Sequence, residues 1–216
     1  MLRRVKICCI SSIDEARTAI NFGASALGLV GKMPSGPGII SDNLILQIAQ
    51  LVPPPIATFL LTSETSPEEI ITHHKRTQTN TIQIVDKIPI DAYSFIREKL
   101  PNIKLVQVIH VLDEKSIEEA VEISNFVDAL LLDSGNPNKK VKELGGTGRI
   151  HNWKLSKKIV EHSKVPVFLA GGINSQNVKQ AIDEVNPFGI DICSGVRTDG
   201  KLDKYKLEEL FFILNR

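Results

Sequence analysis

The chain has 216 residues, 42% hydrophobic and 24% charged, with a formal net charge of +1, the balance of a globular protein able to bury one large core. Near-neutral charge, with no Lys/Arg cluster interleaved with aromatics, excludes a polyanion-binding surface such as one for nucleic acid. The three cysteines, Cys8, Cys9 and Cys193, form neither a disulfide framework nor paired zinc spacing. No apolar stretch is long enough for a membrane span or a secretory leader behind the basic start Met1-Leu2-Arg3-Arg4-Val5-Lys6. The expected setting is therefore the reducing cytoplasm.

In chain order, apolar runs suited to strands fall at Val5–Ile10, Ala26–Val30, Ile56–Leu61, Thr81–Val85, Lys104–Val111, Ala129–Asp133, Val165–Ala170 and Gly189–Cys193. Helical spacing occupies the intervals, at Ile13–Phe22, Ser41–Leu51, Pro67–Thr77, Ala92–Lys99, Lys115–Asn125, Asn152–His162, Ser175–Val185 and Leu202–Leu214. Strands that alternate with helices pair in parallel through right-handed crossovers, and eight such units predict an α/β protein, a single-domain (β/α)8 TIM barrel over residues 1–216. No linker divides the chain, and Pro53-Pro54-Pro55 reads as a stiff lead-in to the third strand. An open doubly wound sheet competes, but its Gly-x-Gly-x-x-Gly fingerprint is absent after the first strand.

In such a barrel the chemistry sits at the C-terminal ends of the strands. Leu130-Leu131-Leu132-Asp133 brings a carboxylate to the end of a strand buried on both faces, where an unpaired charge is costly. Asp133 is either functional or a cap for the following helix. On the first strand the period of two places Lys6 and Cys8 on one face and Val5, Ile7 and Cys9 on the other. With Lys6 one layer below, Cys8 is a candidate proton acceptor, because a nearby cation favours thiolate; Cys9 is expected to face the helices as a small buried hydrophobe.

Glycines close several of these strands: Gly145-Gly146-Thr147-Gly148 after the sixth, Gly171-Gly172 after the seventh, and Ser194-Gly195 after the eighth. Bare amides near a helix N-terminus form the usual barrel phosphate site, so a phosphorylated substrate is expected. His73 and His74 fall in a polar helical stretch and are expected to be solvated, while His110 is either a core histidine or a pocket wall. Trp153 is expected to pack at a helix start. No two-histidine helix motif or ligand set over the strand tips suggests a metal.

These motifs, running nearly end to end, resemble the phosphoribosylanthranilate isomerase family of tryptophan biosynthesis. The resemblance rests on Lys6-Ile7-Cys8, Gly23 to Gly28, Leu131 to Ser134, Gly145 to Gly148 with Trp153, Ala170 to Asn174 with Asn177-Val178, and Asp191 with Ser194-Gly195-Val196. It implies an Amadori rearrangement of an N-(5-phosphoribosyl) amine, with Asp133 as general acid, Cys8 as general base and no cofactor. Lys6, Gln83, Gly145, Gly146, Gly171, Gly172, Asp191, Ser194 and Gly195 would bind the phosphorylated sugar-amine, in a monomer or homodimer. The chain departs from the family pattern at three places. Cys9 replaces a glycine, Gly36-Pro37-Gly38 replaces Ser-Pro-Arg, and Val85 replaces a histidine. The family's arginine is the clamp for the anthranilate carboxylate, and Lys32 is the nearby alternative cation. A paralogue acting on another phosphoribosyl amine, or a non-catalytic sugar-phosphate-binding barrel, are the alternative readings.

Overall fold

The computed structural model describes residues 4–146 and 148–215. Thr147 of the glycine-rich turn, the basic start Met1-Leu2-Arg3, and Arg216 lie outside the described residues. Eight parallel strands, β1 (Arg4–Ile7), β2 (Ala26–Val30), β3 (Ala57–Thr62), β4 (Thr81–Ile84), β5 (Lys104–His110), β6 (Ala129–Asp133), β7 (Val167–Leu169) and β8 (Gly189–Ile192), pair in sequence order. β8 returns to β1, Lys6 opposite Asp191, and closes the barrel. The helices between and after the strands are α1 (Ile13–Phe22), α2 (Asp42–Leu51), α3 (Pro67–Thr77), α4 (Ile90–Lys99), α5 (Lys115–Ile123), α6 (Trp153–His162), α7 (Val178–Val185) and α8 (Lys204–Leu214). None of them is long and apolar enough to cross a membrane.

Local chemistry explains the helix starts. Ser12, Ser41 and Ser66 each accept a hydrogen bond from a backbone N–H three residues on, and Asp203 caps α8 in the same manner, satisfying donors that the first turn leaves unpaired. The period of two along each strand divides the core. Val5 and Ile7 of β1, and Leu130 and Leu132 of β6, pack outward among the helices, whereas Ala129, Leu131, Phe59, Val106 and Phe168 fill the barrel. The same alternation turns Asp133 inward at the end of β6.

Three sequence expectations change. β1 ends at Ile7 instead of Ile10, because Cys9 adopts a left-handed backbone at φ +62° that no strand accommodates. The eighth unit continues past its strand into a short 3-10 turn at Ser194–Val196 and a hairpin of β9 (Arg197–Thr198) and β10 (Lys201–Leu202). His73 is not solvated: its Nδ1 lies 2.9 Å from Thr62 Oγ1 and its Nε2 3.2 Å from Asp42 Oδ1. It falls three residues after buried Ile70 and four before buried Thr77, on the inward stripe of α3. His74, half-buried, donates to the Thr79 carbonyl at 2.7 Å. Trp153 packs at the start of α6, as expected.

Leu132 is fully buried between β6 and the helix layer, so truncating it removes packing with no polar consequence. Leu132→Ala is expected to lower the unfolding free energy in urea by about 2–5 kcal/mol.

Candidate active site

The C-terminal ends of the strands surround a cavity of about 670 Å³. Cys8, Gln83, Asp133, Gly145, Gly146, Gly171, Gly172, Asp191 and Ser194 all line it, bringing together residues from five of the eight barrel units. Asp133 is thus a cavity group and not a helix cap. Lys6 and Gly195 stand elsewhere. Lys6 is fully buried below the cavity, its Nζ 2.8 Å from Asp191 Oδ1, and its charge is consumed by that pair instead of facing a ligand. A Cβ on Gly195 would meet the Ile173 carbonyl at 2.1 Å, so this glycine packs the eighth loop against the seventh.

Cys8 is held at the cavity floor by its own N–H, which donates to the Ile192 carbonyl at 2.8 Å. The neighbouring β2 residue is Gly28, where any Cβ would lie 2.7 Å from Cys8 Sγ and 2.8 Å from Lys6 Nζ. A hydrogen bond from the Cys9 thiol, helped by the Lys6 ammonium and opposed by burial, holds the Cys8 thiol below its ordinary value. Asp133 shifts the other way: burial raises it, against a Ser134 backbone N–H and His110. Burial also disfavours the Lys6 ammonium, but Asp191 and the thiols outweigh it and keep Lys6 charged. The two shifts run in opposite directions, the thiol of Cys8 down and the carboxyl of Asp133 up.

After β7 the chain turns through Gly171 and Gly172 at φ +83° and +65°, two successive left-handed residues that only glycine adopts without strain. This turn lines the cavity ahead of α7, whose entry is fixed by Asn174 N–H donating to Asn177 Oδ1 at 2.9 Å. Successive amides before a helix suit a small anion. Across the cavity the wall is apolar, made by Val30, Met33, Pro37, Leu61 and Leu144. Among the described residues no Lys or Arg lines the cavity. Exposed Lys32 is not part of its wall. Gln83 is 3% exposed and its Oε1 has no hydrogen-bond partner among the described residues. His110 Nε2 donates to the Val85 carbonyl at 3.0 Å, and the residue lies outside this cavity.

Two residues escaped the sequence reading. Cys9, expected to face the helices, lines the cavity, because its left-handed backbone cancels the strand alternation. Its Sγ lies 2.7 Å from Cys193 Sγ. Arg197 is buried and its Nη2 donates to the carbonyls of Cys8, at 3.1 Å, and Cys9, while Glu15 takes its charge. It fastens the end of β1 to the eighth unit. Neither had a readable signal: a left-handed cysteine has no local motif, and the Arg197–Glu15 pair spans 182 residues.

A closed parallel barrel whose mouth joins a cysteine with a lowered thiol, a buried carboxyl raised above its ordinary value and a glycine turn belongs to the (β/α)8 enzymes that move protons on small phosphorylated substrates. The family model for N-(5'-phosphoribosyl)anthranilate isomerase matches residues 5–212, and the chain belongs to that family of aldose–ketose isomerases. It is 35% identical over 207 residues to N-(5'-phosphoribosyl)anthranilate isomerase 2 of Methanosarcina mazei, covering 94% of this chain and 90% of that one. It is 33% identical to the isomerase of Methanosarcina acetivorans, covering 95% and 90%. The solved Thermotoga maritima isomerase superposes with a TM-score of 0.84 at 29% identity, covering 99% and 98%. A phosphoribosyl anthranilate isomerase in complex with reduced 1-(o-carboxyphenylamino)-1-deoxyribulose 5-phosphate superposes at 0.81, with 27% identity and coverage of 99% and 98%. The Thermotoga maritima protein is dimeric, and monomers generated from it have also been solved.

The Lys6–Asp191 pair is the most buried ion pair at the site. Asp191→Leu, which strands the ammonium, is expected to cost about 3–5 kcal/mol in urea unfolding. The double variant Lys6→Met/Asp191→Leu is expected to recover most of that loss, because an apolar pair carries no desolvation penalty.

Proposed function

We propose that this chain isomerises N-(5'-phosphoribosyl)anthranilate to the corresponding 1-(o-carboxyphenylamino)-1-deoxyribulose 5-phosphate. Asp133 gives its proton to the ribose ring oxygen as the bond from that oxygen to C1 breaks, leaving an iminium at C1 and nitrogen. The iminium acidifies the C2–H, and the Cys8 thiolate takes that proton to give an enol-amine, which relaxes to the ketone. The amides of Gly171 and Gly172, with Ser194, Gly145 and Gly146, hold the phosphate, and Gln83 Oε1 accepts a sugar hydroxyl, so the sugar lies between acid and base. The observation that carries this reading is that Cys8 and Asp133 line one cavity together with the Gly171-Gly172 turn.

A second reading is favoured by one observation: the apolar wall opposite the phosphate turn carries no Lys or Arg among the described residues. A site with no cation there has little means of preferring an amine that bears a carboxylate, so a related phosphoribosyl amine is the alternative substrate. Comparing the phosphoribosyl adducts of anthranilate and aniline separates the two. A kcat/KM advantage above about a hundredfold for anthranilate supports the first reading, and one within about tenfold supports the second, since a charged hydrogen bond accounts for factors of that size.

Turnover followed by the fluorescence of phosphoribosylanthranilate tests the acid–base assignment. Cys8→Ser and Asp133→Asn are each expected to lower kcat by roughly 10²–10⁴ while ribose 5-phosphate binding persists. Equal loss of binding would instead assign both residues to substrate recognition. The pH profile of kcat/KM is expected to be bell-shaped. With the thiol lowered and the carboxyl raised, its two limbs should lie closer together than ordinary thiol and carboxyl values.

A further inference from the structure

Two further thiols in the cavity exchange no proton with the substrate in the proposed reaction, and the fold has already brought them into contact. Cys9 Sγ and Cys193 Sγ are 2.7 Å apart, where a disulfide closes to about 2.05 Å. They stand at the ends of adjacent strands, whose alignment is set one step earlier by the 2.8 Å bond from Cys8 N–H to the Ile192 carbonyl. The contact depends on the backbone of Cys9: at φ +62° its side chain enters the cavity, and the Arg197 guanidinium bonded to its carbonyl keeps it there. Gly38 completes the arrangement, since a Cβ at that position would lie 2.5 Å from Cys9 Cβ. Cys193 is half-buried and open to the cavity, whereas Cys8 and Cys9 are buried.

We propose that Cys9 and Cys193 are a reversible disulfide site at the mouth of the cavity, oxidised by a small-molecule disulfide such as glutathione disulfide, and that the bridge turns down proton transfer at Cys8. The Cys193 thiolate attacks the small disulfide, releasing one thiolate and forming a mixed disulfide. The Cys9 sulfur then attacks the Cys193 sulfur and expels the second thiolate, which takes up the Cys9 proton. Two protein thiols are oxidised and one small disulfide is reduced to two thiols. Cys8 cannot replace Cys193 as the partner of Cys9 without distortion, because a bridge between adjacent residues must strain the peptide joining them. Once bonded, Cys9 has no S–H to donate to Cys8. This consequence for turnover rests on Cys8 being the base, whereas the bridge itself does not.

The test incubates the full chain with glutathione disulfide at neutral pH. The three thiols should fall to one on titration after denaturation, the mass should drop by two hydrogens, and the mapped cross-link should join the Cys9 and Cys193 peptides. Dithiothreitol should restore all three. Cys193→Ser should keep the reduced protein's turnover and form no bridge, and Cys9→Ser should stop at a stable glutathione adduct on Cys193. Retention of three thiols, a bridge that includes Cys8, or a persistent adduct on the unmodified chain would overturn the site. In the same samples kcat/KM should fall by about tenfold or more on oxidation, as loss of a hydrogen bond to a charged sulfur implies, and recover with dithiothreitol. A mapped Cys9–Cys193 bridge with unchanged turnover would overturn the link to Cys8 while leaving the site. An oxidised protein that was inactive before treatment would instead fault the proposed reaction.

Discussion

The floor of the cavity is an ammonium that the barrel cannot leave uncompensated. Lys6 is fully buried, its Nζ 5.3 Å from the centroid of the Phe59 ring, where an isolated charge would be costly. Its salt-bridge partner is Asp191, set directly opposite by the β1–β8 register and 2.8 Å away. A pair of this kind is seldom more stable than two apolar side chains of the same size. Its place in the molecule is explained by what stands above it. The cation helps lower the Cys8 thiol, while the anion of the pair adds to the burial that raises the Asp133 carboxyl. The barrel thus tolerates one buried pair at its core, and two oppositely biased proton-transfer groups rest on it.

The same floor organises the glycine chemistry. Gly28 leaves the room that Lys6 and Cys8 fill, and the Gly171-Gly172 turn lines the cavity on the far side. On the opposite side two departures from the family pattern meet physically. Cys9, where the pattern has glycine, and Gly38, where the pattern has arginine, occupy one space: a side chain on both would overlap, with Cβ atoms 2.5 Å apart. One substitution explains the other. A bulkier residue at 9 requires glycine at 38, and the loss of a cation from the apolar wall follows from that packing constraint.

Much of the fold was legible because periodicity and chemistry agreed along the chain. Alternating apolar strands and capped helices gave the eight units, and an acid ending the run Leu130-Leu131-Leu132 marked the sixth strand's tip. What could not be read depended on long-range packing. His73 looked solvated because its neighbours in sequence are polar, yet α3 presents it, with Ile70 and Thr77, to β3 and to Asp42. Cys9 was assigned to the outer face by strand alternation, which holds only while the strand continues; β1 stops at Ile7 and the rule stops with it. Arg197 and Glu15 lie on opposite ends of the chain, and nothing local marks either as a clamp on the carbonyls beside the thiol.

The opposed shifts at Cys8 and Asp133 follow from one geometry and suit one type of reaction. An acid must hold its proton until the ring oxygen takes it, and a base must be unprotonated when the neighbouring C–H becomes acidic. Ordinary thiol and carboxyl values would favour the reverse state, with thiol protonated and carboxylate bare. Burial at the β6 tip raises the carboxyl, and the Cys9 hydrogen bond with Lys6 lowers the thiol, so both displacements move population toward the working state. Removing either displacement would return that group toward its ordinary state, the less suitable one for this chemistry. Burial at the β6 tip and the Cys9 hydrogen bond, with the Lys6–Asp191 charges beneath as the smaller contribution, therefore bias Cys8 and Asp133 in opposite directions.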